Sequence, residues 1–394
     1  MVYMHENIVG LDSAIFMHPT IWKASGHVDN FSDPMIDNKD SKKRYRVDHL
    51  IEGHVEQMSL GNELIVQMEA LLAKDDFGGL KQLIEDNQIK CPISGTCNWT
   101  DVRQFNLMFA TQLGSVAEES DTIYLRPETA QGIFVNFLNV QKTGRMKIPF
   151  GIAQIGKAFR NEIIARQFIM RMREFEQMEM QFFVRPGTEM EWFAKWKETR
   201  LKWHLALGTP AAKYRYHDHL KLAHYANAAT DIEFEFPFGF KEVEGIHSRT
   251  DFDLKQHQEF SGKKMQYFDP EINQNYIPYV IETSIGLDRM FLLTLCNAYK
   301  EEEVGEGDKK EIRTVLALPP QLAPFKVAIL PLTKKDGLPE KAREILDMLK
   351  PSYRCHYEEK DAIGKRYRRH DAIGTPFCVT VDHESLETNT VTIR

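Results

Sequence analysis

The sequence predicts an α+β fold in which an antiparallel sheet is flanked by helices and followed by a small α/β domain. From Gly151 to Val184, two runs alternate between two faces, which indicates a long antiparallel hairpin. The segment YIPYVIETSIGLDRMFLLTLCNAYK indicates a buried strand that continues into an apolar helix. From Phe325 onward, strand and helix patterns alternate as they do in an α/β domain.

The composition is that of an ordinary water-soluble protein. The 394 residues suffice for two domains, each with its own core, and 42% of them are hydrophobic and 27% charged. No apolar run approaches the ~20 residues of a membrane span, and the N-terminus lacks the pattern of a signal peptide. Five cysteines fit a reducing compartment, so we expect a cytoplasmic protein. Because the net charge is −7, a nucleic acid would have to bind a local basic patch.

One face of the predicted hairpin carries residue types suited to binding. Its first strand has small residues on this face and ends in the charged pair Arg160 and Glu162. Its second strand places on the same face Arg173, Phe175, Gln177 and Glu179. Arginine binds phosphate, phenylalanine stacks on a purine, and carboxylates bind an ammonium group or a metal. The alternative interpretation is a solvated sheet face whose charges pair with each other.

Two segments, in this order along the chain, carry a family resemblance. Phe159-Arg160-Asn161-Glu162, followed by Arg171 and Phe175, resembles motif 2 of the class II aminoacyl-tRNA synthetases, and GLDR from Gly286 resembles their motif 3. The flanking segments RPETAQGIF, EFEQMEMQFF and ETSIGLDR narrow the resemblance to glycyl-tRNA synthetases of the homodimeric type. The resemblance extends over nearly the whole chain.

The resemblance implies a ligase that uses ATP to activate glycine and transfers glycine to the 3′ end of tRNA(Gly), as a homodimer. A pocket for glycine can reject larger amino acids by collision, so no editing domain is needed. A class II synthetase for another amino acid would keep Arg160, Phe175 and Arg289 but change the surroundings of Glu179 and Ser284. A non-catalytic nucleic-acid-binding or accessory relative would be expected to lose the arginines.

The resemblance also implies a role for each polar residue of the nucleotide site. Arg160 would hold the α-phosphate and the glycine carboxylate, Arg289 the γ-phosphate, and Arg171 the polyphosphate chain. Phe175 would stack on adenine, and Glu162 would bind the adenine amino group. The predicted catalytic residues are Arg160 and Arg289. The predicted ATP-binding residues are Arg160, Asn161, Glu162, Met170, Arg171, Met172, Arg173, Glu174, Phe175, Glu242, Val243, Gly286, Leu287, Asp288 and Arg289.

Glycine itself is expected between Glu128, Glu179 and Ser284, where the carboxylates would face its ammonium group. Glu128 alternatively serves the dipole of a helix that begins with the capping sequence Thr129-Ala130-Gln131-Gly132. Arg46 matches a family position near the amino-acid site, or is a surface arginine in a basic loop. The predicted glycine-binding residues are Arg46, Glu128, Phe175, Glu176, Gln177, Met178, Glu179, Glu282, Thr283, Ser284, Ile285 and Gly286.

The predicted metal is Mg²⁺ bound together with ATP through Glu282 and Glu242, because magnesium takes oxygen ligands from protein and phosphate. A zinc site is not expected. Many relatives carry a CxxC pair near residues 37–43, where this chain has no cysteine, and Cys91 and Cys97 are spaced too widely for a zinc knuckle. We expect these two thiols to be structural.

The two ends of the chain complete the prediction. The first residues resemble motif 1, with Pro19 as its proline, and are expected to contribute to a dimer contact. The predicted domains are a catalytic domain, 1–316, with its N-terminal part missing; a linker, 317–324; and a C-terminally incomplete anticodon-binding domain, 325–394. The tract EEEVGEGDKKE is predicted to be a solvated loop. A basic cluster either contacts tRNA phosphates or forms an exposed helix face: Lys365, Arg366, Arg368 and Arg369.

Overall fold

The computed structural model describes residues 1–58, 62–114, 121–163, 168–219, 222–305 and 310–394. The chain divides into two compact units, Met1–Pro186 with Arg249–Val280 and Gly187–Ser248 with Ile281–Arg394, called unit 1 and unit 2 below. The link predicted between the two hairpin strands, residues 163–170, includes 164–167, which lie outside the described residues. None of the described helices is long and apolar enough to cross a membrane.

The α-helices of the described residues are, in chain order, α1 (Pro19–Ala24), α2 (His27–Asn30), α3 (Val47–Met58), α4 (Glu63–Leu72), α5 (Phe77–Asp86), α6 (Ala130–Thr143), α7 (Glu189–Ala206), α8 (Phe252–Ser261), α9 (Leu287–Ala298), α10 (Leu338–Leu349), α11 (Ile363–Ala372) and α12 (His383–Thr388). The strands are β1 (Ile8–Gly10), β2 (Ser32–Asp37), β3 (Arg44–Arg46), β4 (Arg103–Asn106), β5 (Ala110–Leu113), β6 (Asp121–Tyr124), β7 (Phe150–Phe159), β8 (Glu174–Val184), β9 (Tyr214–Asp218), β10 (Ala228–Phe236), β11 (Gly239–Thr250), β12 (Tyr267–Asp269), β13 (Gln274–Tyr276), β14 (Tyr279–Gly286), β15 (Tyr299–Val304), β16 (Glu311–Leu316), β17 (Val327–Pro331), β18 (Cys355–Tyr357), β19 (Phe377–Val381) and β20 (Thr392–Ile393).

Unit 1 contains the predicted hairpin. Strands β7 and β8 pair antiparallel from Phe150 opposite Phe183 to Phe159 opposite Glu174, and β1 adds a parallel strand beside β7. Helix α6 packs its apolar side against this hairpin, where Phe137 meets the rings of Phe150 and Phe183. These contacts bury the hairpin end opposite to the motif 2 residues and fix its position by packing.

A separate module of unit 1 lies between β2 and β4. Its antiparallel sheet has the strand order β3-β2-β4, and helices α3, α4 and α5 cover a core of its own. The core includes Ile36, Ile51, Leu80 and Trp99, all nearly inaccessible to solvent. The sequence analysis assigned this region to the catalytic domain and did not separate it.

In unit 2, strands β9, β10 and β11 form consecutive antiparallel pairs, and β14 continues directly into α9 as predicted. The prediction of a solvated loop over EEEVGEGDKKE is wrong at both of its ends. Strands β15 and β16 pair antiparallel, with Glu302 opposite Arg313, and only residues 306–309 of the tract lie outside the described residues. Cross-strand pairs of opposite charge stabilise such a hairpin despite its polarity.

The C-terminal part of unit 2 is the predicted α/β arrangement. Its sheet has the order β18-β17-β19-β20, in which β17 is parallel to β18 and β19, and β20 is antiparallel to β19. Helix α10 places Ala342, Ile345, Leu346 and Leu349 against the apolar face of this sheet. The helical spacing of these four residues predicted that face.

Candidate functional site

The hairpin face predicted for binding exists, but it is largely buried. Because β7 and β8 pair antiparallel, Gln154 lies opposite Glu179, Gly156 opposite Gln177, and Ala158 opposite Phe175. Gln154, Gln177 and Glu179 are each less than a tenth exposed. The alternative of a solvated sheet face therefore does not describe this part of the hairpin.

Arg126 occupies the space above Gly156. A Cβ atom on Gly156 would lie 2.3 Å from Arg126 Nη2, so a larger residue here would displace the guanidinium. Arg126 is 2% exposed and donates to the backbone oxygens of Lys157 and Ser13 at 2.6 and 2.8 Å. Sequence reasoning took the small side chain as room for a ligand, and did not identify Arg126. The signal for it was an arginine directly before the Pro-Glu pair of RPETAQGIF.

Thr129 holds the carboxylate of Glu179. Its backbone N–H donates to Glu179 Oε2 at 3.0 Å, and its hydroxyl donates to the same oxygen in a short hydrogen bond. Thr129 occupies the N-cap position of α6, yet its side chain makes no capping hydrogen bond. The predicted capping chemistry is therefore wrong, because the hydroxyl serves Glu179 instead of the helix terminus.

Glu128 lies beside His27, Gln131 and Arg249. Its Oε2 is 3.4 Å from His27 Nε2, and its Oε1 accepts a hydrogen bond of 2.9 Å from Gln131 Nε2. Burial alone would raise the pKa of the Glu128 carboxyl. The charges of His27 and Arg249 and the hydrogen bonds outweigh burial and lower that pKa well below its ordinary value. Glu128 is thus held as a carboxylate in a mostly enclosed site.

His27 is a site residue that sequence reasoning did not identify. Ser25 Oγ lies 2.8 Å from His27 Nδ1, on the ring edge away from Glu128. Trp22 and Phe31 meet the ring edge-on, with centroids 5.7 and 5.3 Å away. Only the sequence order Ser-Gly-His after α1 signalled it, and that pattern by itself is too short to indicate a role.

Arg160 follows the last residue of β7, and two aromatic rings lie near its guanidinium. Its guanidinium carbon is 5.3 Å from the Phe175 centroid and 5.7 Å from the Phe31 centroid, within the range of cation–π attraction. Its Nε donates to the backbone oxygen of Pro127 at 3.1 Å. No other acceptor among the described residues takes a hydrogen bond from this guanidinium, so most of its donors remain available to a ligand.

The other polar residues of motif 2 lie beside the ends of the two hairpin strands. Arg173 donates to the backbone oxygens of Glu162 and Ile163 at 2.7 and 3.0 Å, and the Glu162 carboxylate lies 4.0 Å from an Arg171 nitrogen. Asn161 is tied to the chain near β4 through its backbone N–H, which donates to the Leu107 oxygen at 2.7 Å. Arg171 itself is about half exposed, with 49% of its side chain accessible.

Gln177 has a buried hydrogen-bond acceptor on the hairpin face predicted for binding. Its side-chain Oε1 is inaccessible to solvent and finds no hydrogen-bond donor among the described residues. The alternation along β8 places Gln177 on the face of Phe175 and Glu179. A buried carbonyl oxygen without a partner costs about 1–3 kcal/mol, so a donor supplied by a ligand would be bound favourably here.

The remaining predicted residues of unit 1 have mixed environments. Arg46 pairs with Asp48 and Asp33, at nitrogen–oxygen distances of 2.6 and 3.2 Å, within the separate β2–β4 module. Glu174 forms an exposed ion pair with Lys157 at 3.3 Å. Met170 is buried, and three residues are half-buried: Met172, Glu176 and Met178.

In unit 2, Arg289 is paired with Glu242. Arg289 Nη1 lies 3.1 Å from Glu242 Oε2 and donates to the Glu242 backbone oxygen at 3.0 Å. A Cβ atom on Gly286 would lie 3.3 Å from the Arg289 side chain, so the glycine lets the stem of this arginine pass closely over the chain. Val243, predicted at the nucleotide, is completely buried.

Glu282 is buried on β14, and its Oε1 lies 3.0 Å from His247 Nδ1 on β11. Its neighbours Thr283 and Ile285 are also buried, and Ser284 is half-buried. Leu287 and Asp288 begin helix α9, where an acidic residue in the first turn suits the helix dipole. His247 is a second histidine that the sequence analysis did not single out.

Cys91 and Cys97 differ in environment. Cys97 is exposed, whereas Cys91 is buried and its sulfur lies 3.3 Å from Ser41 Oγ and 3.2 Å from the Tyr45 hydroxyl. Burial raises the pKa of the Cys91 thiol, but hydrogen bonds from Ser41, Ser94 and Tyr45 outweigh it and lower that pKa to about 6. These hydroxyl groups lie within the β2–β4 module.

The predicted basic cluster is only partly exposed, with Lys365 and Arg368 on the surface and Arg366 buried. Arg366 is 2% exposed and donates to the backbone oxygens of Pro331, Leu332 and Glu358. Arg369 pairs with Glu358 and Asp361. Both alternatives given for the cluster therefore fail for Arg366, because its side chain holds strand ends together inside the domain.

Family models match three parts of the chain. They describe a glycyl-tRNA synthetase insertion domain 1 at residues 33–64 and 57–107, a tRNA synthetase class II core domain at 109–298, and an anticodon binding domain at 326–394. A glycine–tRNA ligase of Chlorobaculum tepidum is 54% identical over all of this chain and 85% of its own length. Those of Treponema denticola and Staphylococcus haemolyticus are 52% and 54% identical and are matched over 81% and 82% of their lengths.

The chain belongs to the glycine–tRNA ligase family. This confirms the family predicted from motifs 2 and 3, and the β2–β4 module coincides with the insertion domain of these ligases. A prolyl-tRNA synthetase of Giardia lamblia, solved with prolyl-adenylate, matches 73% of this chain and 55% of its own with a TM-score of 0.54. At 18% identity this similarity concerns the fold alone; the match to the class II core domain confirms the predicted architecture.

Proposed function

We propose that this protein activates glycine with ATP and transfers the glycyl group to the 3′-terminal adenosine of tRNA(Gly), as a cytoplasmic homodimer. In the first step a glycine carboxylate oxygen attacks the α-phosphorus, and the bond to the leaving pyrophosphate breaks. In the second step a ribose hydroxyl attacks the carbonyl carbon of the adenylate, and AMP leaves. Both steps depend mainly on positioning and on stabilising charge.

Arg160 is proposed to bind the α-phosphate and the glycine carboxylate. Its position supports this role, because Phe31 and Phe175 flank the guanidinium and Pro127 takes only one of its donors. Charge-assisted bonds from a fixed guanidinium to phosphate are stronger than neutral ones and cost little rearrangement during reaction. Adenine stacks on Phe175 in this proposal, on a ring whose position β8 fixes.

The glycine ammonium group is proposed to lie near Glu128, Glu179 and Gln177. The observation that carries this proposal is the combination of two enclosed carboxylates with the unpaired acceptor of Gln177. An ammonium group has three donors and no acceptor, which matches acceptor atoms of this kind. Arg126 fills the space over Gly156. A filled neighbourhood suits the smallest amino acid.

Arg289 is proposed to bind the γ-phosphate, and Glu242 and Glu282 to hold Mg²⁺ with the nucleotide. Carboxylate oxygens are the hard ligands that magnesium prefers, so the donor set fits this ion. Bound Mg²⁺ would neutralise charge on the phosphate oxygens. Because Arg289 pairs with Glu242 in this structure, phosphate would replace Glu242 as the partner of the guanidinium.

Exchange of pyrophosphate into ATP tests the proposal directly. We expect exchange with glycine and at least about 100-fold less with alanine or serine, since each adds atoms to a filled pocket. Comparable exchange with alanine would contradict the glycine assignment.

Gln177→Leu provides a second test. It should raise the KM for glycine about tenfold while the unfolding free energy stays equal or rises, because the mutation removes a buried acceptor that lacks a partner. A matched control is Gln104→Leu on the exposed strand β4, for which neither quantity should change.

A further inference from the structure

Two histidines and a glutamate converge in the C-terminal α/β domain of unit 2. His356 Nδ1 lies 3.3 Å from His370 Nε2, and Glu358 Oε2 lies 3.6 Å from the same nitrogen. One possible ligand atom from each of the three residues lies within 4.8 Å of the other two, and no other group of this kind occurs among the described residues. We propose that His356, Glu358 and His370 bind a divalent transition-metal ion, with Zn²⁺ as the preferred ion.

The separations match those of metal ligands. Zinc binds histidine nitrogen at about 2.0–2.1 Å and carboxylate oxygen at about 2.0–2.2 Å, so two tetrahedral ligand atoms lie about 3.3 Å apart. The nitrogens of His356 and His370 have this spacing. Two imidazoles with a carboxylate suit zinc and related ions, whereas Mg²⁺ and Ca²⁺ prefer ligand sets made of oxygen alone.

Neighbouring groups orient the ligands. The other nitrogen of His370, Nδ1, lies 2.9 Å from Thr375 Oγ1, which fixes the ring with Nε2 toward the cluster. Arg369 binds Glu358 through Oε1 and leaves Oε2 on the histidine side. Such a second partner is a regular feature of metal sites, because it holds a ligand in one orientation.

His370 lies in an environment that lowers the pKa of its imidazole. Burial lowers the pKa of His370, and the nearby His356 and Arg369 lower it further, whereas Glu358 and Asp371 act in the opposite direction. A neutral imidazole is the form that binds a metal. His356 and Glu358 are only partly buried, so an ion bound here would lie within reach of solvent.

The ion would connect two elements at the edge of the domain. His356 belongs to β18, the edge strand beside β17, and His370 to the last turn of α11. A metal bound only by the folded state stabilises it by mass action. We therefore assign the ion a structural role in this domain, separate from the chemistry at the hairpin.

Titration of the metal-free full chain with Zn²⁺, followed by calorimetry, tests the site. We expect one site that requires these residues, and His356→Gln and Glu358→Gln should each raise its Kd at least tenfold. The matched control is His383→Gln, which removes an exposed histidine that pairs with Asp336 in the same domain. An unchanged Kd in both ligand variants, or no binding at micromolar zinc, would overturn the proposal.

Cobalt spectra and a second-partner variant separate this site from the cysteines. Co²⁺ in place of zinc should give the visible bands of a nitrogen and oxygen site without a thiolate charge-transfer band. Thr375→Val should weaken binding about tenfold through His370, without removing a ligand. A thiolate band in the tight site would assign the metal to a cysteine. If neither Thr375→Val nor the ligand variants change the Kd, the metal is bound elsewhere.

Discussion

The motif 2 hairpin and helix α11 both carry closely spaced arginines, yet their arginines have opposite roles in the structure. Arg160 has one acceptor among the described residues, the backbone oxygen of Pro127, and is otherwise flanked by aromatic rings. Arg366 is almost inaccessible and donates to three backbone oxygens. The first guanidinium can bind a ligand, whereas the second already has the partners that a phosphate would supply.

The difference indicates that an arginine's role depends more on whether backbone oxygens already accept from its guanidinium than on its position in a basic segment. A guanidinium has five donors in a fixed planar arrangement. Where backbone oxygens take these donors, the residue supports the fold. Where aromatic rings lie near the guanidinium and most donors stay unused, as at Arg160, we expect the arginine to bind an anion. The following predictions test this contrast.

Arg160→Ala should cause the largest loss. Pyrophosphate exchange should fall about 1000-fold, or about 4 kcal/mol, because a charge-assisted contact to the reacting phosphate is removed from a preorganised site. The unfolding midpoint should change little. The control Lys157→Ala removes a neighbouring exposed cation paired with Glu174 and should leave exchange unchanged. A loss of less than about tenfold, roughly 1.4 kcal/mol, would show that Arg160 is not the α-phosphate ligand.

Arg366→Met should show the opposite pattern. We expect the unfolding free energy to fall by about 3 kcal/mol, because three backbone oxygens lose their donor in the domain interior. Pyrophosphate exchange per folded molecule should be unchanged. Denaturant unfolding and exchange would be measured on the same preparation, and an exchange defect at full stability would refute the structural role.

Thr129→Val should have an intermediate effect. The backbone N–H still binds Glu179, but the hydroxyl donor is lost, so the KM for glycine should rise about tenfold. Thr129→Ser keeps the hydroxyl and should restore most of the affinity. If valine and serine behave alike, the hydroxyl does not position Glu179.

Lys365→Ala should have the smallest effect. Lys365 and Arg368 are the exposed members of the α11 cluster; Arg368 pairs with Glu311, whereas no described residue pairs with the ammonium group of Lys365. Loss of one phosphate contact should raise the KM for tRNA about threefold. It should also reduce the slope of log affinity for tRNA against log salt concentration by about one. The unfolding free energy should stay within about 0.5 kcal/mol of the original. No change in the KM for tRNA at low salt would favour a purely solvated helix face.

Much of the fold could be predicted because periodic patterns are local. The hairpin of β7 and β8, the β14–α9 junction and the α/β alternation after Phe325 all follow from residue spacing. The hairpin of β15 and β16 did not, since its charged residues resemble those of a loop until Glu302 and Arg313 are seen to pair across the strands.

Of the candidate site, the sequence predicted only those residues that belong to a recognisable motif. Arg160, Phe175 and Glu179 stand in recognisable segments, and their roles remain predictions until the variants are measured. His27 and Arg126 could not be found in this way, because their importance comes from contacts with residues distant in sequence. Likewise, the helical spacing around Arg366 does not indicate that its side chain reaches back to the end of β17.

The ion pair of Arg289 and Glu242 has a consequence for nucleotide binding. Their side chains are 27% and 48% exposed, so the pair itself is weak and can be exchanged for a phosphate at little cost. Before a phosphate binds, the ion pair restricts the flexible side chain of Arg289. The rotamer entropy of an arginine side chain corresponds to about 2 kcal/mol. In the proposed complex, moving Arg289 onto phosphate would also remove this ion pair from Glu242, one of the two carboxylates that would hold Mg²⁺. The position of Arg289 and the environment of the Glu242 carboxylate would therefore change together.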